Sequence, residues 1–282
     1  MDFYDAHIHF LFKGSRDSIE NIFDYLARIG LKGFDAFVMA EYPHDIETVL
    51  KMVPKAYHKD VSLKILDNQR NPFPLLKKSN QMKISFCLDA RFIEKDIEKK
   101  TAMYREMGFE GLKLLYVPEE DEDLGIQGMG KAFGRSLKQS EMITSLLIEN
   151  AAFHSMFITI HVDLRKYGDF IEDVVKRHPL TNFNIAHFGF SRRTIAPFLE
   201  KYDNCFTDVA SLAPFMRKAP VVYKEFIKRY RDRILFGSDA LFGRPEEPKM
   251  GSEFFMDYLD DQGLLMKIFK DNYLKFHNIE SN

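Results

Sequence analysis

Short runs of apolar, mostly β-branched or aromatic residues alternate along this chain with longer segments whose apolar positions recur every three or four residues. The short runs read as strands at 2–9, 34–41, 83–89, 111–116, 156–163, 182–188, 204–209 and 233–239. The intervening spacing predicts helices. Ser18 to Ile29 carries apolar residues at 19, 22, 23, 26 and 29, which form one helical face. Ile46 to Tyr57, Ile93 to Met107, Glu141 to Phe153, Phe170 to Arg177, Thr194 to Lys201 and Val221 to Arg229 repeat the pattern, and Ser252 to Phe276 reads as a closing helical stretch. Residues 60–80, with Asn71-Pro72-Phe73-Pro74, read as an irregular excursion before strand three. Strands alternating with helices imply a parallel sheet with right-handed crossovers. Eight such repeats predict closure into one (β/α)8 TIM barrel over residues 1–282. In that fold, catalytic groups belong at the C-terminal ends of the strands.

Polar residues close several of the apolar runs. Asp5-Ala6-His7-Ile8-His9 ends the first. Residues two apart in a strand share a face, so Asp5, His7 and His9 are expected to point together. Two imidazoles at that spacing can ligate one ion from a rigid element, although a lone histidine is more often a core or surface residue. His161 closes strand five, His187 strand six and Asp239 strand eight. A barrel would gather these groups at one mouth, and such a nitrogen-rich set with a carboxylate binds a divalent cation and leaves a position for water. Buried singly and unpaired, each would be costly. His44, His58, His154, His178 and His277 lie in helical or loop contexts and read as structural or solvated.

The bulk properties narrow the partners. Residues are 45% hydrophobic and 29% charged, with 40 basic against 42 acidic side chains for a formal charge of −2. No concentrated basic face favours nucleic acid. No apolar run reaches the ~18 residues of a membrane span. The two cysteines, Cys87 and Cys205, sit in apolar runs and form no CxxC site, and the N-terminus shows no secretory pattern. The expectation is a cytoplasmic protein acting on a small molecule; pairing through outer helices is left open. No phosphate loop or GxSxG elbow occurs. The acidic Glu119 to Asp123 and the glycine-rich Gly125 to Gly134 read as a solvated loop or as a lid over the site.

His7-x-His9, Gly111-Leu112-Lys113-Leu114, His161, His187-Phe188-Gly189 and Leu235-Phe236-Gly237-Ser238-Asp239, in this order, resemble the amidohydrolase superfamily, specifically its amidohydrolase-related branch of metal-dependent TIM-barrel enzymes. The resemblance implies that His7, His9 and His161 are imidazole ligands and that Asp239 binds the metal or lies beside it and accepts a proton from the attacking water. It implies that His187 completes a second metal site, polarises the substrate or carries a proton. The ion is expected to be Zn2+, one rather than two, with Mn2+ as an option. In some relatives the lysine at the position of Lys113 is carboxylated and bridges two metals; the branch favours a plain lysine here. Some relatives carry a histidine near it, where this chain has Leu114, Leu115 and Tyr116.

The reaction class implied is attack of activated water on an amide, lactone or ester carbonyl. Lys113, Tyr116 and Arg165 are the candidate substrate contacts, the latter two chosen for an anionic substrate. Glu41, Asp89, Arg91, Asp163, Asp208 and Ser211 also follow strands, and mutual ion pairing is the plainer account of them. Phe10, Phe12, Phe188 and Phe190 read as wall packing. The same branch includes non-oxidative decarboxylases of aromatic or unsaturated acids, which the five metal-site residues would also fit. A non-catalytic barrel is the remaining alternative.

Overall fold

The computed structural model describes residues 1–14, 16–75 and 82–279. The strands are β1 (Phe3–His9), β2 (Leu31–Val38), β3 (Lys83–Asp89), β4 (Gly111–Leu115), β5 (Phe157–His161), β6 (Phe183–Ile185), β7 (Cys205–Asp208), β8 (Ile234–Leu235) and β9 (Ala240–Leu241). Their order is β8-β7-β6-β5-β4-β3-β2-β1-β9, with parallel pairing throughout. The expected eighth strand is therefore split. Its first piece pairs with β7, its second with β1. Backbone bonds from Ala6 N to Phe236 O (2.9 Å) and from Asp239 N to His7 O (2.9 Å) sew the break to β1. The ring closes through an interrupted strand, and the fold is a TIM barrel.

Inward parity sets the interior. Phe37, Cys87, Phe157, Phe206 and Leu235 pack together inside the ring, and Tyr273 and Phe276 of the C-terminal segment seal its lower end. Tyr273 donates to the buried Asp35 carboxylate at 2.8 Å. Outward residues such as Phe34, Leu112, Ile158 and Ile185 face the surrounding helices in the main core. Burying apolar side chains on both faces of a parallel sheet is what its near-continuous apolar strands require.

Several boundaries differ from the expectation. β2 begins and ends three residues earlier than 34–41, because it starts directly after a turn at Gly30 (φ 95°). Glu41 consequently lies beyond the strand, where its carboxylate takes hydrogen bonds from Lys100 and Tyr104. Pro54 stops the helix predicted over Ile46 to Tyr57, leaving Ile46–Lys51 and a 3-10 turn. The stretch 60–80 is not wholly irregular: Leu63–Gln69 is helical, capped by Ser62, and 76–81 lie outside the described residues. The closing helix is broken after Tyr258, and Asp261 caps the next helix by accepting from Leu264 N at 3.0 Å. Among the described residues, no helix is long and apolar enough to cross a membrane.

Candidate metal centre

The C-terminal ends of the strands bring four of the five predicted groups into close contact. His7 Nε2 and His9 Nε2 each lie 3.2 Å from Asp239 Oδ1. The His187 ring centroid is 5.0 Å from that of His7, and the His161 ring is 5.0 Å beyond His187. His7, His9 and Asp239 form one group able to hold an ion. His161 lines the same cavities one step further along the rim and belongs to no such tight group among the described residues.

Asp208 organises this arrangement, a role that strand position alone did not reveal. Its Oδ2 accepts from His7 Nδ1 and Asn184 Nδ2, both at 2.9 Å. Its Oδ1 accepts from the backbone N–H groups of His187 (2.9 Å) and Ala210 (3.2 Å). With both oxygens engaged, Asp208 is a poor ligand, although it sits within reach of His7 and His187. Its function is to keep the His7 proton on Nδ1, so that the Nε2 lone pair faces Asp239 and His9. The Ala210 carbonyl does the same for His187, whose Nδ1 donates at 2.9 Å. The tautomers follow from these networks.

Asp5 is a second residue whose role differs from expectation. The register of β1 shifts between Asp5 and Ile8, so Asp5 does not share the face of His7 and His9. It is fully buried, and its Oδ1 accepts from His7 N and Ser238 N at 3.0 Å each, clamping the first ligand strand to the break in the eighth. Burial pushes its pKa up to about 7 against the pull of those donors.

Left-handed backbone delivers the remaining groups. His187, Phe188, Gly189 and Phe190 all have φ between 53° and 61°, Ser211 has φ 56° and Asp239 φ 62°. Positive φ at non-glycine residues stores strain of order 1–3 kcal/mol each and tends to mark functional sites. Gly189 is required within its turn, since a Cβ would meet Leu164 Cδ1 at 2.5 Å. Ser211 Oγ donates to Asp239 Oδ2 at 2.6 Å, leaving Oδ1 to the histidines.

The protonation states suit a cation. Burial lowers the His9 pKa to about 4, and burial with neighbouring His187 and Lys113 holds His161 well below the ordinary value. Burial also lowers His187. For His7, burial and Lys113 push down, but the Asp208 and Asp239 carboxylates prevail and raise it. Burial opposes ionisation of Asp239 and Asp208, yet the histidines bonded to them hold both below the usual carboxylate range. Neutral His9, His161 and His187 with an ionised Asp239 are the states a divalent ion needs, and an ion at the centre would take the place of the proton that the carboxylates favour on His7, so the donor set fits one.

The predicted substrate contacts fare unevenly. Lys113 points inward: its Nζ is 3.2 Å from His7 Nε2 and 4.6 Å from the centroid of the Phe37 ring. Burial lowers its pKa to about 8 despite Asp208, Asp239 and Asp89 nearby. Tyr116 has the opposite parity. It is buried outside the ring against Tyr167 and Phe170, its hydroxyl has no partner among the described residues, and it lines a cavity that reaches His161, His187 and Asp239. Arg165 stands on the rim, but its guanidinium is spent on Asp163 at 2.8 and 2.7 Å. Arg91 grips Asp89 the same way (2.9 and 2.5 Å) and donates to Met52 O. Phe10, Phe188 and Phe190 line the cavities, Phe188 also packing on Phe226, whereas Phe12 packs on Phe242. The acidic segment forms an antiparallel bridge between Asp121 and Ile126, followed by a helix at Gly128–Phe133; Glu122 to Ile126 wall the cavity beside the centre.

A family model described as amidohydrolase matches residues 4–276. No curated protein matches the chain in sequence. Solved structures with a similar fold include an amidohydrolase from Burkholderia multivorans with bound zinc (TM-score 0.57, 11% identity, 99% of this chain and 100% of that one). The phosphotriesterase homology protein from Escherichia coli, complexed with phosphate in its active site, is also similar (TM-score 0.57, 9% identity, 98% of each chain). So is 5-methylcytosine deaminase from Klebsiella pneumoniae (TM-score 0.59, 8% identity, 93% of this chain and 63% of that one). At such identities these likenesses carry the fold alone. With the sequence match running through every strand of the barrel, the chain belongs to the amidohydrolase family and is a hydrolase.

Proposed function

We propose that this protein hydrolyses a small ester, lactone or amide at a divalent metal, zinc by preference, held by His7, His9 and Asp239 with His161 and His187 beside them. The observation that carries this is the convergence of His7 Nε2 and His9 Nε2 on one oxygen of Asp239, each at 3.2 Å. A divalent ion bound there supplies Lewis acidity and brings the pKa of water down to roughly 7.

The protein's own groups divide the rest of the work. Asp239, ionised and steadied by Ser211, takes a proton from the attacking water and passes it to the leaving group. His187 is neutral with Nδ1–H committed to Ala210 O, so its Nε2 offers a lone pair. It therefore serves as a ligand or proton acceptor rather than as an oxyanion donor. Lys113 is the buried cation beside this machinery.

A decarboxylase would use the same ion to orient a substrate carboxylate; the amidohydrolase family match supports hydrolysis over that alternative. The test is turnover on ester, lactone and amide panels, and CO2 release from benzoate-type acids, before and after chelation and zinc restoration. Asp239→Asn should abolish hydrolysis with the fold intact by circular dichroism. Chelator-resistant hydrolysis, or a fully active Asp239→Asn enzyme, would refute the assignment.

A further inference from the structure

Two cavities meet at the candidate metal centre, and they differ in character. The first, of about 320 Å³, lies over β1 and β2. Leu11, Met39, Val53, Val61, Leu124 and Leu241 make its inner wall away from the centre apolar, with Lys55, Glu122 and Asp123 exposed at the rim. Two segments build that wall and are tied together by backbone bonds, Lys55 N to Leu124 O (3.0 Å) and Gln127 N to Lys51 O (2.9 Å). The second, of about 530 Å³, lies over β5 to β7 and is lined by Glu119, Asp121, Asp123 and Asp163 against Arg165, Lys166 and Arg192. His161, His187, Ser211 and Asp239 line both.

Asp89, Arg91 and Lys113 are the buried charges of the first cavity outside the metal-binding set. Arg91 spends Nε and Nη2 on Asp89 and Nη1 on Met52 O. Lys113 is held beside His7 and over the Phe37 ring. An anionic substrate group carried to the far wall would meet apolar side chains, and its desolvation would go uncompensated. An apolar group would gain by burial. The volume is at the low end of small-molecule clefts.

We propose that the substrate is an uncharged carbonyl compound whose compact apolar group fills the cavity over β1 and β2, with its polar remainder in the acidic cavity over β5 to β7. This rests on the hydrolase reading above and replaces the expectation of an anionic substrate.

The experiment has a binding arm and a turnover arm. In the first, a neutral naphthylamine fluorophore is bound to the metal-free protein and displaced by straight-chain amides from acetamide to hexanamide, and by succinamate as the anionic counterpart. Each buried methylene is worth about fourfold in affinity, so hexanamide should bind at least tenfold and at most roughly two hundredfold tighter than acetamide. Succinamate should bind more weakly than butanamide. Leu124→Trp and, independently, the exposed-rim Ala56→Trp should each weaken hexanamide binding at least tenfold. In the second arm, phenyl esters from acetate to hexanoate are hydrolysed by the zinc-loaded enzyme, with kcat/KM expected to rise along the series. Flat chain-length dependence in binding, or tighter binding of succinamate, overturns the proposal. Chain-length-dependent binding with no hydrolysis of any ester, lactone or amide supports the apolar cavity and sinks the hydrolase reading instead.

Discussion

Replacing Asp208 by Asn keeps the shape of the side chain and removes its charge, and the surrounding bonds set the consequence. In the native protein four donors converge on the two oxygens: His7 Nδ1 and Asn184 Nδ2 on one, His187 N and Ala210 N on the other. The backbone donors cannot turn away, so the amide must present its carbonyl to them and its NH2 to His7 and Asn184. Asn184 can adapt, because its Oδ1 has no partner among the described residues and a flip would let it accept. His7 can adapt only by moving its proton from Nδ1 to Nε2, the nitrogen that faces Asp239 and His9. Two backbone donors exchange a charged acceptor for a neutral one, a loss of about 1 kcal/mol each. The metal-free fold should therefore weaken by about 2 kcal/mol in urea. The centre should suffer more, since loss of an outer partner that sets a ligand's tautomer typically costs 10–100-fold in metal affinity. Zinc titration by calorimetry measures the second effect, and nitrogen-15 shifts of His7 report where its proton resides. Zinc affinity within twofold of the parent, or a His7 still protonated at Nδ1, would refute this account of Asp208.

Ser211→Gly relieves a left-handed residue but removes the hydroxyl that holds Asp239. Stability should hold or rise by up to about 1 kcal/mol while kcat/KM falls about tenfold; full activity would remove Ser211 from positioning. Lys113→Met should leave one bound ion per chain and raise zinc affinity if Lys113 is a plain cation beside His7; loss of one of two ions by elemental analysis would show a carboxylated bridging lysine instead. Arg91→Met leaves Asp89 buried without its partner, which should cost about 3–5 kcal/mol at pH 7. Burial raises the Asp89 pKa, but Arg91 outweighs it and the native value lies below the usual range. The pair's stabilisation is thus complete above about pH 4 and lost as pH falls through the native value. Urea unfolding should show the variant's deficit shrinking on acidification, and a pH-independent deficit would count against the ion pair.

How much of the fold and of the centre was legible in the sequence depends on range. Strand period and helical spacing are local, and they located every strand to within a few residues. The polar ends His7, His9, His187 and Asp239 were legible for the same reason: each interrupts an apolar run where the barrel places its mouth. What the pattern missed depends on parity and on long-range bonds. A register shift inside β1 takes Asp5 off the face of His7, and no residue type signals it. Tyr116 follows Lys113 by three positions, so alternation alone could have placed it on the outer face, where it packs on Tyr167. Asp208 looked like any acid after a strand. Its importance comes from His7, 201 positions away, and from two backbone donors that exist only once the next loops are folded.

The break in the eighth strand ties these observations together. An uninterrupted strand would keep Asp239 at extended angles and would alternate its side chain with its neighbours in fixed directions. At φ 62° the chain instead turns, and the Asp239 carboxylate meets His7, His9 and Ser211 at once. Closing the ring and aiming the carboxylate place opposite demands on the same residues. The structure meets both by giving ring closure to two short pieces on either side and sewing the gap to β1 through Asp5 and the His7 carbonyl. The strain at Asp239 is thereby carried by the same strand that holds its two histidine partners. It follows that Asp5→Ala, which removes the clamp without touching any ligand atom, should loosen the centre more than it loosens the barrel: zinc affinity should fall at least fivefold while the helical circular dichroism is kept. Unchanged zinc affinity in that variant would show that the break holds its geometry without the clamp.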